Sequence, residues 1–139
     1  GNPRRMSTGF DYNRMSLLLA VLEKRAGFYF ANLDTYINVV GGLRLDEPAA
    51  DLAVSMALVS SLKDIVIPDD MLAFGEIGLA GEIRSVSHAE ERVKEAARLG
   101  FKKCIVPKHN LDSIKLSKDL NIKVIGVSTV REAFDAICS

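Results

Sequence analysis

Residues 36–62 constrain the fold more than any other part of the sequence. The mainly apolar run 37–40 predicts a buried strand, and a Gly-Gly pair then breaks it. A helix is predicted to begin at Pro48, because the N–H that proline lacks would be unpaired at a first helical position and its φ is already helical. Asp46 and Glu47 support this start, since a helix N-terminus favours negative charge. The stretch therefore predicts a strand followed closely by a helix.

The predicted helix carries apolar residues at helical spacing with alanines between them, which favours close packing against a sheet. A glycine break, a proline and two small residues at a helix start also form the frame in which some enzymes present a nucleophile. Here Ala49 and Ala50 occupy that frame, and neither has a group that could attack a substrate. The apolar positions are Leu52, Met56, Val59 and Leu62.

The composition is that of an ordinary globular domain. Of 139 residues, 48% are hydrophobic and 26% are charged, and this length suits one domain with one core. Lys+Arg and Asp+Glu both number 18, so net charge gives no general attraction to nucleic acid or membrane. No apolar run reaches the roughly 18 residues that span a bilayer, and no signal peptide is evident, which predicts a cytoplasmic protein without a membrane partner. A start without Met, on an irregular segment, predicts a piece of a longer protein.

The cysteines and histidines do not indicate a metal site. Cys104 and Cys138 lie far apart, and Cys104 falls in an apolar strand, which predicts a buried small hydrophobe. His88 and His109 each lack a second His or Cys three or four residues away. No metal is therefore predicted for this chain.

The remaining pattern predicts short helices and strands that alternate along the chain. A first helix is predicted from Asp11 to about Arg25, with Gly27 as its end. Two capping boxes, in which a Ser or Thr precedes a Glu by three residues, predict later helix starts at Ser87 and Thr129. Together these elements predict a single α+β domain with helices on a mixed sheet. The other predicted elements are strands at Phe28–Leu33, Thr35–Val40, Lys102–Val106 and Ile122–Val127, a hairpin within Met71–Val86, and a brief helix at Asn110–Leu120.

Five motifs, in order along the chain, resemble a known family. The similarity is to the C-terminal domain of the RadA family (also called Sms) of bacterial DNA repair and recombination proteins. Its motifs are PRRMSTGFDYNR, AVLEKRAGF, NVVGGLRLDEPAADLAVSMALVSS, FGEIGLAGEIRSV and EAARLGFKKCIVPKHN. That domain resembles in turn the proteolytic domain of Lon, which has the fold of the second domain of ribosomal protein S5. The resemblance covers nearly the whole chain and implies that fold for it.

Lon-type proteases use a Ser-Lys dyad, and the resemblance places both positions in this chain. The serine motif matches residues 46–50 and puts Ala49 at the nucleophile, and the lysine position falls on Glu90, shortly after the hairpin motif at 75–81. Alanine has no lone pair for the attack and glutamate cannot supply the activating amine, so the resemblance implies a domain without peptidase activity. In the capping box that begins at Ser87, Glu90 would instead help to cap the start of a helix. The alternative is a Lon-type Ser-Lys peptidase domain that is active, or that binds peptide without cutting it.

The resemblance also implies a longer protein, with an N-terminal zinc finger and a RecA-like ATPase. ATP, Mg and Zn are thus implied for the whole protein and no cofactor for this chain, which has neither a P-loop nor a CxxC pair. The family further implies a homo-oligomer in the form of a hexameric ring, contact with DNA, a RecA-type recombinase as partner, and helicase action in branch migration. For this domain it implies a non-catalytic oligomerisation scaffold and a DNA-contact role.

Five basic residues are the predicted DNA contacts. Arg4, Arg5 and Arg14 lie around the first turn of the first predicted helix, and Lys24 and Arg25 lie at its other end. Copies arranged in a ring would join such patches into a positive track for phosphates. The alternative is that these charges are solvated or pair with a neighbouring subunit. The basic residues of the third helix are predicted to pair with glutamates of that helix.

Overall fold

The described part of the chain contains four α-helices and seven short strands. The computed structural model describes residues 4–8, 10–30, 35–38 and 47–138, with the backbone alone at positions 8, 35–38 and 138. The helices are α1 (Tyr12–Ala26), α2 (Asp51–Lys63), α3 (Ala89–Arg98) and α4 (Val130–Cys138). The strands are β1 (Arg5–Thr8), β2 (Thr35–Asn38), β3 (Met71–Ala73), β4 (Glu76–Ile77), β5 (Ile83–Arg84), β6 (Lys103–Pro107) and β7 (Lys123–Val127). Short 3-10 helices cover Pro48–Ala50 and Lys108–Ser113.

Within the described residues, the strands form three small sheets rather than the one mixed sheet that the sequence predicts. β3, β6 and β7 form a parallel sheet in the order β3-β6-β7, with Cys104 opposite both Leu72 and Val124. β1 and β2 form a separate parallel pair, and β4 and β5 an antiparallel pair. The prediction of one domain that combines helices with both kinds of strand pairing is confirmed. Its likeness to the second domain of ribosomal protein S5 stays a prediction.

The predicted ends of α1 are confirmed. The Asp11 side chain accepts a hydrogen bond of 3.1 Å from the Asn13 N–H and caps the first turn. Gly27 ends the helix with a φ of 77°, a left-handed conformation that glycine adopts at little steric cost. The turn brings Phe28 under the helix, where its N–H donates to the Leu22 carbonyl at 3.0 Å.

Three helices, α1, α2 and α4, share the larger hydrophobic core. Leu22, Leu52 and Val59 are completely buried in it. Phe28 meets Phe134 of α4 edge to face, with the ring centroids 5.4 Å apart, a favoured aromatic geometry. The predicted apolar face of the central helix is therefore confirmed, and α1, α2 and α4 all contact one another around this core.

A smaller core lies between α3 and the parallel sheet. Val93 of α3 packs there with Cys104 and Val106 of β6, and all three are fully buried. Burial raises the pKa of the Cys104 thiol to about 12, because a thiolate is poorly solvated there. The interpretation of Cys104 as a buried small hydrophobe is confirmed.

Two predicted strand boundaries are wrong. The β4–β5 hairpin forms as expected, but Met71–Ala73 lies outside it and pairs with β6, where its residues pack against the two hydrophobic cores. Phe28–Phe30 is irregular rather than the start of a strand. The rest of that predicted strand, residues 31–33, lies outside the described residues, as do the glycine pair and Asp46.

One predicted capping box is confirmed and the other is wrong. Thr129 Oγ1 accepts a hydrogen bond from the Glu132 N–H at 3.1 Å, and the Glu132 carboxylate accepts one from the Ser128 N–H at 3.1 Å. At α3 the capping position is instead His88, which has a φ of 60° and makes no side-chain cap. The carboxylate expected to close the box is engaged elsewhere, as described below.

The helix predicted at Asn110–Leu120 is shorter than expected. Asn110 does not start it but links two segments of the chain. A 3-10 helix ends at Ser113, and Asn110 lies inside it. The Asn110 side chain accepts from the Val86 N–H at 2.9 Å and donates to the Val86 carbonyl at 3.1 Å. Asn110 therefore ties the segment after β5 to the segment after β6, because its amide can both donate and accept.

A buried ion pair joins α1, α2 and the hairpin. Asp51, only 1% exposed, accepts hydrogen bonds on both carboxylate oxygens from the Arg14 guanidinium, with Nε to Oδ1 at 3.0 Å. The same carboxylate accepts from the Ile77 N–H at 3.1 Å, and Arg14 donates to the Ile77 carbonyl at 3.2 Å. The hydrogen bond to Asp51 is the largest cause that raises the pKa of Arg14. Three separate elements are thus fixed by one charged contact.

Replacing Arg14 by Met is expected to lower the free energy of unfolding by about 3 to 5 kcal/mol, because it leaves a buried carboxylate without its cation. Adding Asp51→Asn should recover part of that loss, since Asn removes the charge and keeps an acceptor for Ile77. Urea unfolding followed by circular dichroism measures both.

Arg98→Met is the matched control, because Arg98 pairs with Glu95 at the exposed surface of α3. It should leave the urea midpoint nearly unchanged. Equal effects of Arg14→Met and Arg98→Met would contradict a structural role for the buried pair.

Candidate functional site

The start of α2 holds the residue that the resemblance to Lon places at the nucleophile. Ala49 lies in the 3-10 turn before α2 and is 5% exposed. Its carbonyl accepts a hydrogen bond from the Gly75 N–H at 2.9 Å, and the Gly75 carbonyl accepts one from the Leu52 N–H at 3.0 Å. These two bonds fix the start of α2 against the connection between β3 and β4. At this position the chain therefore has a buried methyl group.

Glu90, at the predicted lysine position, has a structural environment in the first turn of α3. Its carboxylate accepts a hydrogen bond from the Lys115 N–H at 2.7 Å and lies 3.5 Å from the Lys94 ammonium. The bond from the Lys115 N–H is the first cause that lowers the pKa of Glu90, and the Lys94 charge adds to it. The carboxylate is therefore held ionised and fastens α3 to the loop before β7.

Arg92 connects α3 to the residue before Pro48, a contact that the sequence pattern did not indicate. Its guanidinium pairs with the Glu47 carboxylate, donates to the Ser87 carbonyl at 3.0 Å, and lies 5.9 Å from the centroid of the Phe74 ring. The prediction that Arg92 pairs within its own helix is wrong, because the chain folds Glu47 onto α3. Spacing along a helix cannot reveal a partner that is 45 residues away.

The other two basic residues of α3 pair as predicted. Lys94 lies near Glu90, four residues earlier, and Arg98 donates to Glu95 at 2.8 Å. Both pairs are at the surface, where their effect on stability is small. No cation of α3 is therefore left without a carboxylate in the described part of the chain.

Two of the five predicted DNA contacts are engaged inside the fold. Arg14 binds Asp51 and the Ile77 carbonyl, so its guanidinium is engaged with protein groups although the side chain is 28% exposed. Arg5 donates to the Phe30 carbonyl at 2.8 Å and to the Arg4 carbonyl at 3.2 Å. The sequence contains no clear signal for this pairing, because an acid such as Asp51 in the first turn of a helix is explained by the helix dipole alone.

The other three predicted contacts, Arg4, Lys24 and Arg25, have exposed side chains. Lys24 and Arg25 lie in the last turn of α1, where positive charge offsets the helix dipole. They are about 15 Å from Arg14 along the helix axis, at 1.5 Å per residue. Their place at the far end of the first helix is as the sequence predicts, and their contact with DNA stays a prediction.

Neither a membrane-spanning helix nor a metal site is found among the described residues. None of their helices is both long and apolar enough to cross a membrane. Among the same residues, no three His, Cys, Asp or Glu side chains converge in a way that could hold a metal ion.

Comparison with known proteins gives a family and several close relatives. Residues 13–110 match the family model described as subunit ChlI of Mg-chelatase. The proteins named DNA repair protein RadA are 52% identical in Halalkalibacterium halodurans, 54% in Bacillus subtilis and 50% in Streptococcus pneumoniae. These alignments cover 97%, 96% and 99% of this chain, and 29%, 29% and 32% of the respective relatives. The chain thus spans less than a third of the length of these relatives.

The resemblance to RadA that the sequence motifs indicate is confirmed by these identities, while the resemblance to the proteolytic domain of Lon stays a prediction. A match over residues 13–110 covers more than half of the chain. The chain therefore belongs to the family described as subunit ChlI of Mg-chelatase, and its nearly full-length similarity is to bacterial proteins named DNA repair protein RadA.

Proposed function

We propose that this chain is a non-catalytic domain of a bacterial DNA repair protein, which assembles with copies of itself and contacts DNA. The observation that carries the proposal is the identity of about half of its residues, over nearly its whole length, to proteins named DNA repair protein RadA. Similarity at that level usually preserves the fold and the general role of a domain. The finer parts of the proposal depend on the contacts described above.

The proposal that the domain is non-catalytic is supported by the two dyad positions. Ala49 carries no nucleophile and its surroundings are closed by backbone hydrogen bonds with Gly75. The Glu90 carboxylate is occupied by the Lys115 N–H and by Lys94. A Ser-Lys peptidase requires a serine hydroxyl next to an amine that can take its proton. The peptidase alternative has no such pair at these positions.

The proposal of a scaffold is supported by a part of the surface that suits association. The segment between α2 and β3 exposes Val66 to 86% and carries Asp64, Asp69 and Asp70. Such an acidic surface with an apolar centre can meet the basic segment around Arg4 of a second copy. We also propose that the domain has the Lon-like fold, which is related to the second domain of ribosomal protein S5.

For the whole protein, we propose a hexameric ring with a RecA-like ATPase and helicase action in branch migration. ATP and Mg would be used by that ATPase and Zn by a zinc finger, outside this chain. A RecA-type recombinase would be its partner, and its location would be the cytoplasm. These proposals follow from the resemblance of the sequence motifs to the RadA family.

Glu90→Gln should lower the melting temperature at neutral pH and have a smaller effect as the pH falls towards 3. A depressed pKa in the folded state stabilises the fold above the ordinary glutamate pKa of about 4.3, and that stabilisation is lost as the pH falls through the folded-state value. Thermal unfolding at several pH values measures the difference from the unsubstituted chain.

Glu91→Gln is the control, because the exposed neighbour accepts no hydrogen bond in the described part of the chain. A pH profile for Glu90→Gln that coincides with that of Glu91→Gln would show that the carboxylate of Glu90 does no structural work. The non-catalytic part of the proposal would be contradicted if the chain hydrolysed labelled, unfolded casein and kept this activity after a second purification.

Light scattering tests the scaffold. The mass in solution is expected to rise above that of a monomer with protein concentration, and to fall at high salt because charged surfaces are screened. Arg4→Glu should reduce the association, and Arg98→Glu on α3 should not. A monomer at every concentration would show that this domain does not carry the assembly. The DNA part is tested separately, by the fluorescence anisotropy of a labelled strand.

A further inference from the structure

The ends of three helices meet around the buried ring of Phe28. Arg131, in the first turn of α4, places its guanidinium carbon 4.6 Å from the ring centroid. Lys63, in the last turn of α2, places its ammonium 5.8 Å from the same centroid. If Gly27, at the end of α1, carried a Cβ atom, a guanidinium nitrogen of Arg131 would lie 3.8 Å from it. Two cations distant in sequence are thus brought beside the end of α1 that carries Lys24 and Arg25.

In the described part of the chain, none of these four cations pairs with a carboxylate. This differs from α3, where every basic residue has an acidic partner. The dipoles of α1 and α2 account for positive charge in their last turns. They do not account for Arg131, because a helix N-terminus disfavours a cation. The nearby Glu132 carboxylate is used by the Ser128 N–H. We call these residues the Phe28 cluster: Lys24, Arg25, Lys63 and Arg131.

An exposed aromatic residue is the next residue along the chain after Phe28. Tyr29 directly follows Phe28, and it is 71% exposed whereas Phe28 is fully buried. A tyrosine so exposed contributes little to the core and offers its face to solvent. Aromatic faces beside a row of cations are what proteins use to bind single-stranded nucleic acid, with bases stacked on the rings and phosphates on the cations.

We propose that the Phe28 cluster and Tyr29 bind single-stranded nucleic acid, with the backbone phosphates on the cations and one base stacked on Tyr29. This rests on the DNA contact proposed above and assigns it a surface. An acidic protein segment would use the cations and have no need of the aromatic ring. The exposed ring therefore favours a nucleic acid over an acidic protein partner.

The first test compares two double variants that each remove two positive charges. Lys63→Gln with Arg131→Gln is expected to weaken binding of a labelled oligo-dT strand about tenfold at low salt, and to reduce the salt slope by about 1.4, at roughly 0.7 for each phosphate that the variant no longer neutralises. Lys94→Gln with Arg98→Gln, on α3, is expected to change the affinity less than about twofold, because distant exposed charges are screened. Fluorescence anisotropy over a salt series measures both.

Because Arg131 covers Phe28, its removal could also disturb folding. Lys24→Gln with Arg25→Gln leaves the contacts to Phe28 intact and is expected to cause a similar decrease in affinity. Arg131→Lys keeps the charge and is expected to bind nearly as well as the unsubstituted chain. Melting temperatures of all variants show which ones retain the fold.

The second test isolates the stacked base. Tyr29→Ala should weaken binding of the single strand about tenfold, and Tyr29→Phe should keep most of the affinity, because stacking needs the ring and not the hydroxyl. The affinity for a duplex of the same sequence should not depend on Tyr29, since its bases are not free to stack.

The results separate the possible failures. If the unsubstituted chain binds DNA but the Phe28 cluster variants bind as tightly as the α3 control, the surface is wrong and the proposed DNA contact stands. If the unsubstituted chain binds neither strand nor duplex, both fail. If polyglutamate displaces the strand and Tyr29→Ala has no effect, the surface serves an acidic protein partner and the inference is overturned.

Discussion

The contact between Arg14 and Asp51 determines how the larger core is assembled. The carboxylate is buried and receives hydrogen bonds from α1 and from the hairpin, while it belongs to the first turn of α2. Hydrophobic burial supplies most of the stability of such a domain, but it is not directional. The ion pair is directional, because a guanidinium and a carboxylate match in only a few geometries. It therefore fixes the register of two helices and a hairpin that apolar packing alone would leave less defined.

The smaller core is organised in the same way, by polar contacts between segments far apart in the chain. Glu90 holds the loop before β7, Asn110 holds the segment after β5, and Arg92 holds the residue before Pro48. Each contact closes a connection that contains little regular structure. Since loops offer few apolar contacts, these bonds limit how far α3 can move from the start of α2. Glu90, one of the two positions that the resemblance to Lon assigns to the dyad, is thus part of these structural bonds.

Local patterns in the sequence were sufficient for the ends of α1 and the start of α4, and insufficient for the polar contacts between distant segments. The ends of α1 and the start of α4 were predicted because Asp11, Gly27 and Thr129 act on backbone groups only a few residues away. The box at Ser87 failed because Lys115, which is distant in sequence, provides a better donor for Glu90. For the candidate site, charge alone was the reason to name Lys24 and Arg25, and their contact with DNA stays a prediction. Arg131 was not, because its position depends on how α4 packs against Phe28.

The location of Asp51 in the first turn of α2 has an electrostatic consequence. The N-terminus of a helix carries a partial positive charge that can stabilise a bound anion or the negative oxygen formed in acyl transfer. In this chain that end already faces a carboxylate of its own first turn, which is also neutralised by Arg14. An anion approaching the start of α2 would therefore meet little net positive potential. The last turns of α1 and α2 differ in this respect, because they carry the positive side chains of Lys24, Arg25 and Lys63.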